Sequence, residues 1–211
     1  MATSQGVFIS LEGIDGSGKS TQAGMLAERA RREGHDVLQT REPGGTPGAE
    51  EIRRLLVEGD PQRWSAETEI LLYTAARRDH VERLIRPALD RGQVVICDRF
   101  ADSTRVYQGA TRGDLRPLVD EIHASVIGLE PDLTLILDMD PEAALERGLA
   151  RASGEDRFED FGLSFQTKLH DGFHALAAQF SERCRLIPAE GAPVALHERI
   201  WREVSARLSH G

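Results

Sequence analysis

Cysteine is scarce in this chain of 211 residues: Cys97 and Cys184 are the only two, and no C-x-x-C spacing exists. That excludes a disulfide framework or a paired-cysteine metal site and fits a reducing compartment. No apolar run approaches the roughly 18 residues of a membrane span, and Met1–Gln5 lacks the basic start and apolar stretch of a signal peptide. A soluble cytoplasmic protein with no membrane partner is expected. Positive charge is also in deficit, with 26 Lys and Arg against 35 Asp and Glu, a formal charge of −9. Non-specific affinity for nucleic-acid polymers comes mainly from clustered positive charge, so the balance argues against that partner class. A small phosphorylated ligand needs only a local basic site and stays open. Repeats and low-complexity stretches are absent as well.

What is present is an alternation. Short apolar runs at Val7–Leu11, Val37–Thr40, Val94–Cys97, Leu133–Leu137 and Arg185–Ile187 are separated by helical patterns. Those patterns cover Ser20–Glu33, Ala66–Arg91, Leu115–Ile127 and Pro141–Ala152, with Phe165–Ser181 and Ala195–Leu208 completing the set. Runs apolar at nearly every position predict strands covered on both faces. The expectation is one α/β domain over residues 1–211, a five-stranded parallel sheet between two helical layers. A polar, glycine-containing insert at Arg151–Arg157 interrupts the pattern.

After the first run stands Gly13-Ile14-Asp15-Gly16-Ser17-Gly18-Lys19-Ser20, followed by Thr21, which fits G-x-x-x-x-G-K-[ST]. Glycines let backbone N–H groups curl around phosphate oxygens, and the helix that follows offers its positive end. Lys19 is expected to reach the β- and γ-phosphates, and Ser20 to ligate Mg²⁺. The loop alone does not separate a kinase, a GTPase-like switch and an ATP-driven machine. The base-reading N-K-x-D segment of a GTPase is missing, and the size favours a small phosphotransferase. Asp98 ends the third apolar run, placed to hold the same Mg²⁺. Arg41, Arg77 and Arg99 lie near strand ends or on the long third helix and predict a second anion facing the first.

Five stretches, 8–21, 40–46 (Thr-Arg-Glu-Pro-Gly-Gly-Thr), 71–81, 98–109 and 131–138, resemble the thymidylate kinases in sequence and order. The resemblance covers nearly the whole chain and fades after about residue 180. It implies a P-loop nucleoside monophosphate kinase fold, the reaction of ATP with dTMP, Mg²⁺ as cofactor and a homodimer. By the same resemblance Arg99 and Arg41 face the acceptor phosphate, and Asp98 serves the metal. Asp15 accepts from the deoxyribose 3′-OH, and Glu42 and Pro43 line the nucleoside. Tyr73 stacks on thymine and Arg77 bonds its edge. Ser103 and Thr104 approach the base, Tyr107 crowds the sugar 2′ position, and Gln108 closes that wall. Gly16 occupies a place where some relatives carry an arginine. Arg147, Arg151 and Arg157, around a lid at 147–160, match the bacterial type with catalytic arginines on the lid. Pro188 replaces a common aspartate in the adenine-side loop. The seven histidines show no metal spacing, and His80 has no evident task. Rival expectations are another nucleoside or nucleotide kinase and a regulator that binds nucleotide without catalysis.

Overall fold

A computed structural model of the chain describes residues 6–60, 63–110, 113–149 and 162–209. The five apolar runs are strands: β1 (Val7–Glu12), β2 (Val37–Arg41), β3 (Val94–Asp98), β4 (Leu133–Asp138) and β5 (Cys184–Pro188). Each extends one residue past the run at its carboxyl end. Those residues are Glu12, Arg41, Asp98, Asp138 and Pro188, because pairing is made by the backbone and tolerates a polar side chain at a strand's last position. The strands form one parallel sheet of order β2-β3-β1-β4-β5. Arg41 lies opposite Asp98, Leu11 opposite Asp98, and Glu12 opposite Ile136, so the polar ends share one edge. The strand order reverses at β1, the position where open α/β sheets bind ligands.

Alternation buries both faces. Ile9 and Leu11 of β1, with Val94 and Ile96 of β3, join a core that includes Leu26 and Ala27 on one helix and Ile200 and Val204 on another. Phe8, Val95 and Cys97 point the other way, into a cluster with Val81, Ile85, Phe100 and Ile127. These are two cores on one sheet, as a three-layer domain requires.

Helix α1 (Lys19–Arg32) follows the glycine loop, and α2 (Pro47–Val57) was not anticipated from the sequence. It begins with the Thr46 hydroxyl accepting from the Ala49 N–H and with Pro47 at the first position. Its apolar residues Ala49, Ile52, Leu55 and Leu56 recur at helical spacing, with Ala49 and Leu56 buried. The pattern over 66–91 divides. Helix α3 (Ala66–His80) passes through a π-helical turn, Val81–Ile85, into α4 (Arg86–Asp90). Pro87 has no N–H for the carbonyl four residues back, so the ladder widens there. A second unanticipated helix, α5 (Ala101–Thr104), continues as a π-helical stretch, Arg105–Ala110. Helix α6 (Arg116–Ile122) ends in another such turn, His123–Ile127, closed by Gly128 at φ 58°. The last helices are α7 (Pro141–Leu149), α8 (Gly162–Gln179) and α9 (Pro193–Leu208). Among the described residues no helix is long and apolar enough to cross a membrane.

A buried ionic network fastens the segment after β3. Arg183 clamps Asp102 with two hydrogen bonds of 2.6 and 2.9 Å. Arg105 reaches Asp102 at 2.9 Å, Asp120 at 2.8 Å and Glu130 at 2.5 Å. Thr134 on β4 also donates to Asp102.

Candidate active site

The glycine motif is the turn between β1 and α1, as expected. Gly13 has φ 133°, and a Cβ there would stand 2.7 Å from the Leu137 carbonyl oxygen, so only glycine brings the loop this close to β4. Gly16, at φ 83°, lies against the Ala144 carbonyl of α7, and any side chain would collide with that backbone. Helix α1 starts after Gly18 with no side-chain cap, which leaves its first N–H groups to an anion. The buried Ser17 hydroxyl has no partner among the described residues, again in keeping with a phosphate in the loop. Ile14 is buried beneath it, while Ser20 and Thr21 face solvent. Lys19 is buried and donates to the Ile14 carbonyl at 2.8 Å. Burial, then the Arg99 charge, push its ammonium down to about 8, against the pull of Asp15 and Asp98. The Ser20 hydroxyl donates to Asp98 Oδ2 at 2.5 Å, so the two expected metal ligands are in contact across β1 and β3.

Arg99 follows β3 in the left-handed region, φ 71°, a conformation that costs energy outside glycine. Its guanidinium turns back over the loop. It donates to the Gly13 carbonyl at 3.3 Å, to Ser103 at 3.0 Å, to the Tyr107 hydroxyl at 3.2 Å and to Asp15. Tyr107 in turn donates to the other Asp15 oxygen at 2.9 Å. Burial opposes ionisation of Asp15, but Arg99 and Lys19 outweigh it and hold the carboxyl below its ordinary range. Below them Glu12, absent from the expected site, is fully buried. It accepts from the Phe100 N–H at 2.7 Å and from Ser103 at 2.6 Å, which fixes the turn carrying Arg99. Burial and the Asp102 charge push its carboxyl up to about 7.

The expected nucleoside wall is built as a second layer of pairs. Arg77 is buried, donates to Glu42 at 2.7 Å and to Thr104 at 3.0 Å, and stands 5.2 Å from the Phe100 ring. Glu42 is buried too, and its other oxygen meets His80 at 3.1 Å. His80 bonds Thr40 at 2.7 Å, so it tethers α3 to the end of β2. This is the task the sequence did not show. Glu42 therefore orients Arg77, 35 positions away. The Pro43 carbonyl accepts from Arg53 at 2.7 Å. Tyr73 sits one helical turn before Arg77 on α3, half-buried. Gln108 is buried and approaches Glu69 at 3.4 Å. Arg41 is half-exposed and bonds Glu50 on α2 at 3.1 Å, so each arginine carries its own carboxylate: Arg99 with Asp15, Arg77 with Glu42, Arg41 with Glu50. Arg147 is exposed on α7 and approaches the Met139 sulfur at 3.6 Å. Arg151, Arg157 and the lid from 150 to 160 lie outside the described residues. Pro188 ends β5, and its carbonyl accepts from Arg199.

One sequence expectation is corrected. His170 and His174, four apart on α8, face one oxygen of Asp138, so two histidines do share a ligand-like spacing. Their partner lies on another element, which is why the chain order hides it.

Two anion-binding features meet where the strand order reverses, one built from backbone N–H groups and a lysine, the other from a guanidinium. That is how P-loop nucleotide kinases are constructed, and the fold belongs to their class. The thymidylate kinase sequence profile matches residues 11–200. The chain belongs to the thymidylate kinase family. It is 70% identical over 203 residues to a thymidylate kinase of Jannaschia sp. (strain CCS1), covering 96% of this chain and 98% of that one. It is 52% identical over 205 residues to one of Caulobacter vibrioides, covering 97% and 98%. The crystal structure of a thymidylate kinase from Ehrlichia chaffeensis resembles it with a TM-score of 0.78 at 34% identity, covering 95% of this chain and 99% of that one.

Proposed function

We propose that the chain transfers the γ-phosphoryl group of ATP to the phosphate of dTMP, giving ADP and dTDP. The observation that carries the reading is Arg99: its guanidinium hydrogen-bonds the phosphate loop itself at Gly13. A phosphate bound by Arg99 therefore abuts one bound by the loop, the arrangement in-line transfer needs. Lys19 and the N-terminus of α1 bind the donor phosphates. Arg99, with Arg41 once it exchanges Glu50 for ligand, binds the acceptor. The acceptor phosphate is largely ionised at neutral pH, so alignment and charge neutralisation carry the rate and no strong general base is required. Asp15, released from Arg99 by the incoming phosphate, accepts from the 3′-OH, while Tyr107 crowds the 2′ position. Tyr73 stacks on the base, Arg77 bonds its edge, and Ser103, Thr104 and Gln108 bound the pocket; Pro43 packs on the nucleoside.

A hydroxyl and a carboxylate in contact, Ser20 and Asp98, suit the oxygen preference of Mg²⁺ and would hold it. When bound, the ion offsets phosphate charge. The packing of Gly16 on α7 leaves no room for an arginine at that loop position, which supports assigning the transition-state guanidinium to Arg151, with Arg147 and Arg157 beside it on the lid. The same reading makes the protein a cytoplasmic homodimer. The deciding experiment is ADP release with dTMP, dUMP, dGMP, AMP and thymidine as acceptors. Turnover greatest with dTMP supports the reading. Preference for another acceptor, or ATP binding without acceptor-dependent turnover, would overturn it.

A further inference from the structure

Asp138, His170 and His174 form a second group of ligating side chains, separated from Ser20 and Asp98 by the central strand β1. Asp138 ends β4, and the histidines occupy successive turns of α8. Both Nε2 atoms lie 2.9 Å from Asp138 Oδ1, and the ring centroids are 4.3 Å apart. The three ligating atoms fall within 4.8 Å of one another. Ligands about 2.0–2.2 Å from a tetrahedral ion are separated by roughly 3.3 Å, so small side-chain rotations suffice to enclose one. All three are reachable from solvent, with side chains 28%, 27% and 41% exposed. They line a small pocket whose far wall is Gly13 and Ile14 of the phosphate loop. Asp171 Oδ1 stands 3.5 Å from His170 Nδ1, where an outer carboxylate orients a metal-bound imidazole.

We propose that Asp138, His170 and His174 bind a divalent transition-metal ion of the Zn²⁺ class, with a fourth position left to water. Two imidazoles and one carboxylate suit zinc or cobalt, whereas Mg²⁺ prefers oxygen donors. The phosphotransfer reading plays no part in this assignment, because the ligands come from α8 and β4 alone.

The test is zinc titration of the metal-stripped full chain, free of nucleotide, in a non-chelating buffer with Mg²⁺ in large excess. One equivalent should bind, and cobalt in its place should give visible bands of nitrogen and oxygen coordination. His170→Gln and His174→Gln should each weaken zinc by more than tenfold, since losing even an outer-shell partner costs roughly 10–100-fold. His174 is the most exposed of the three, so its variant keeps the fold, checked by an unchanged metal-free Tm. Zinc should raise the Tm of the unsubstituted chain and not that of His174→Gln. Zinc binding unaffected in the double variant, a cobalt–thiolate band from Cys97 or Cys184, or no binding at all would each overturn the site; the last leaves the trio a hydrogen-bonded tether between α8 and β4.

Discussion

In the proposed reaction substrate recognition turns on Arg99, and its local conformation, partners and position support that role. Replacing it with alanine should lower kcat/KM for dTMP by roughly 10²–10³-fold, the scale of losing one charged stabilising donor. Arg99→Lys should recover only part, because an ammonium cannot fork onto two oxygens. Steady-state kinetics with dTMP varied measure this, and near-normal values for Arg99→Ala would remove the phosphate role. Lys19 gives a proton signature. Its ammonium, pushed down to about 8, is charged below that pH and increasingly neutral above it. Phosphate oxygens favour the charged form, so ATP binding should take up protons increasingly as the pH rises through 8. Calorimetry in two buffers of different ionisation enthalpy reads the uptake, and a value that stays at zero above pH 8 would assign the shift elsewhere. The types and order of Arg99, Asp15, Lys19 and Tyr107 were legible in the chain. The partners of Glu42 and His80 were not, because pairs 35 to 40 positions apart leave no local spacing to read.

At the scale of elements, the five strands could be read to within a residue because apolar runs mark buried backbone. The ends were short by the residues that matter chemically, since the polar terminal positions break the run while the ladder continues. Helix α2 was legible from its Thr46-Pro47 start and from Ala49, Ile52 and Leu56 at helical spacing, whereas the π-helical turns were not, because a pattern-based period cannot distinguish a widened ladder from a straight one. The stretch Arg105–Ala110 carries Tyr107 and Gln108 into the site from such a widened helix. The proposed lid rests on its arginines in the sequence alone. Arg151→Ala should lower kcat by roughly 10²-fold or more while leaving the KM for dTMP near its original value. An unchanged kcat would move the role to Arg147 or Arg157.

For the molecule as a whole, the charge of −9 says nothing of where charge is placed. Arg41, Arg77 and Arg99 are each stored against a carboxylate before any ligand enters. Arg105 and Arg183 take this furthest, locked on Asp102 in the interior. Asp102→Ala would leave two guanidinium groups short of a counter-ion and should cost about 3–5 kcal/mol. That is a fall in Tm on the order of 10 °C for a chain of this size, measurable by calorimetry. A shift of only one or two degrees would mean that Glu130 and Asp120 suffice. No sequence pattern announced this network, because its members come from four separate stretches of chain.

The contact of Gly16 with Ala144 also constrains history. An arginine cannot enter position 16 of the phosphate loop by a single substitution, because its Cβ would meet the backbone of α7 before its guanidinium met any phosphate. The helix would have to move first, and that change alone brings no catalytic gain. A lineage that starts from this packing is therefore held to glycine at position 16, and an arginine there lies across a valley that one side chain cannot cross.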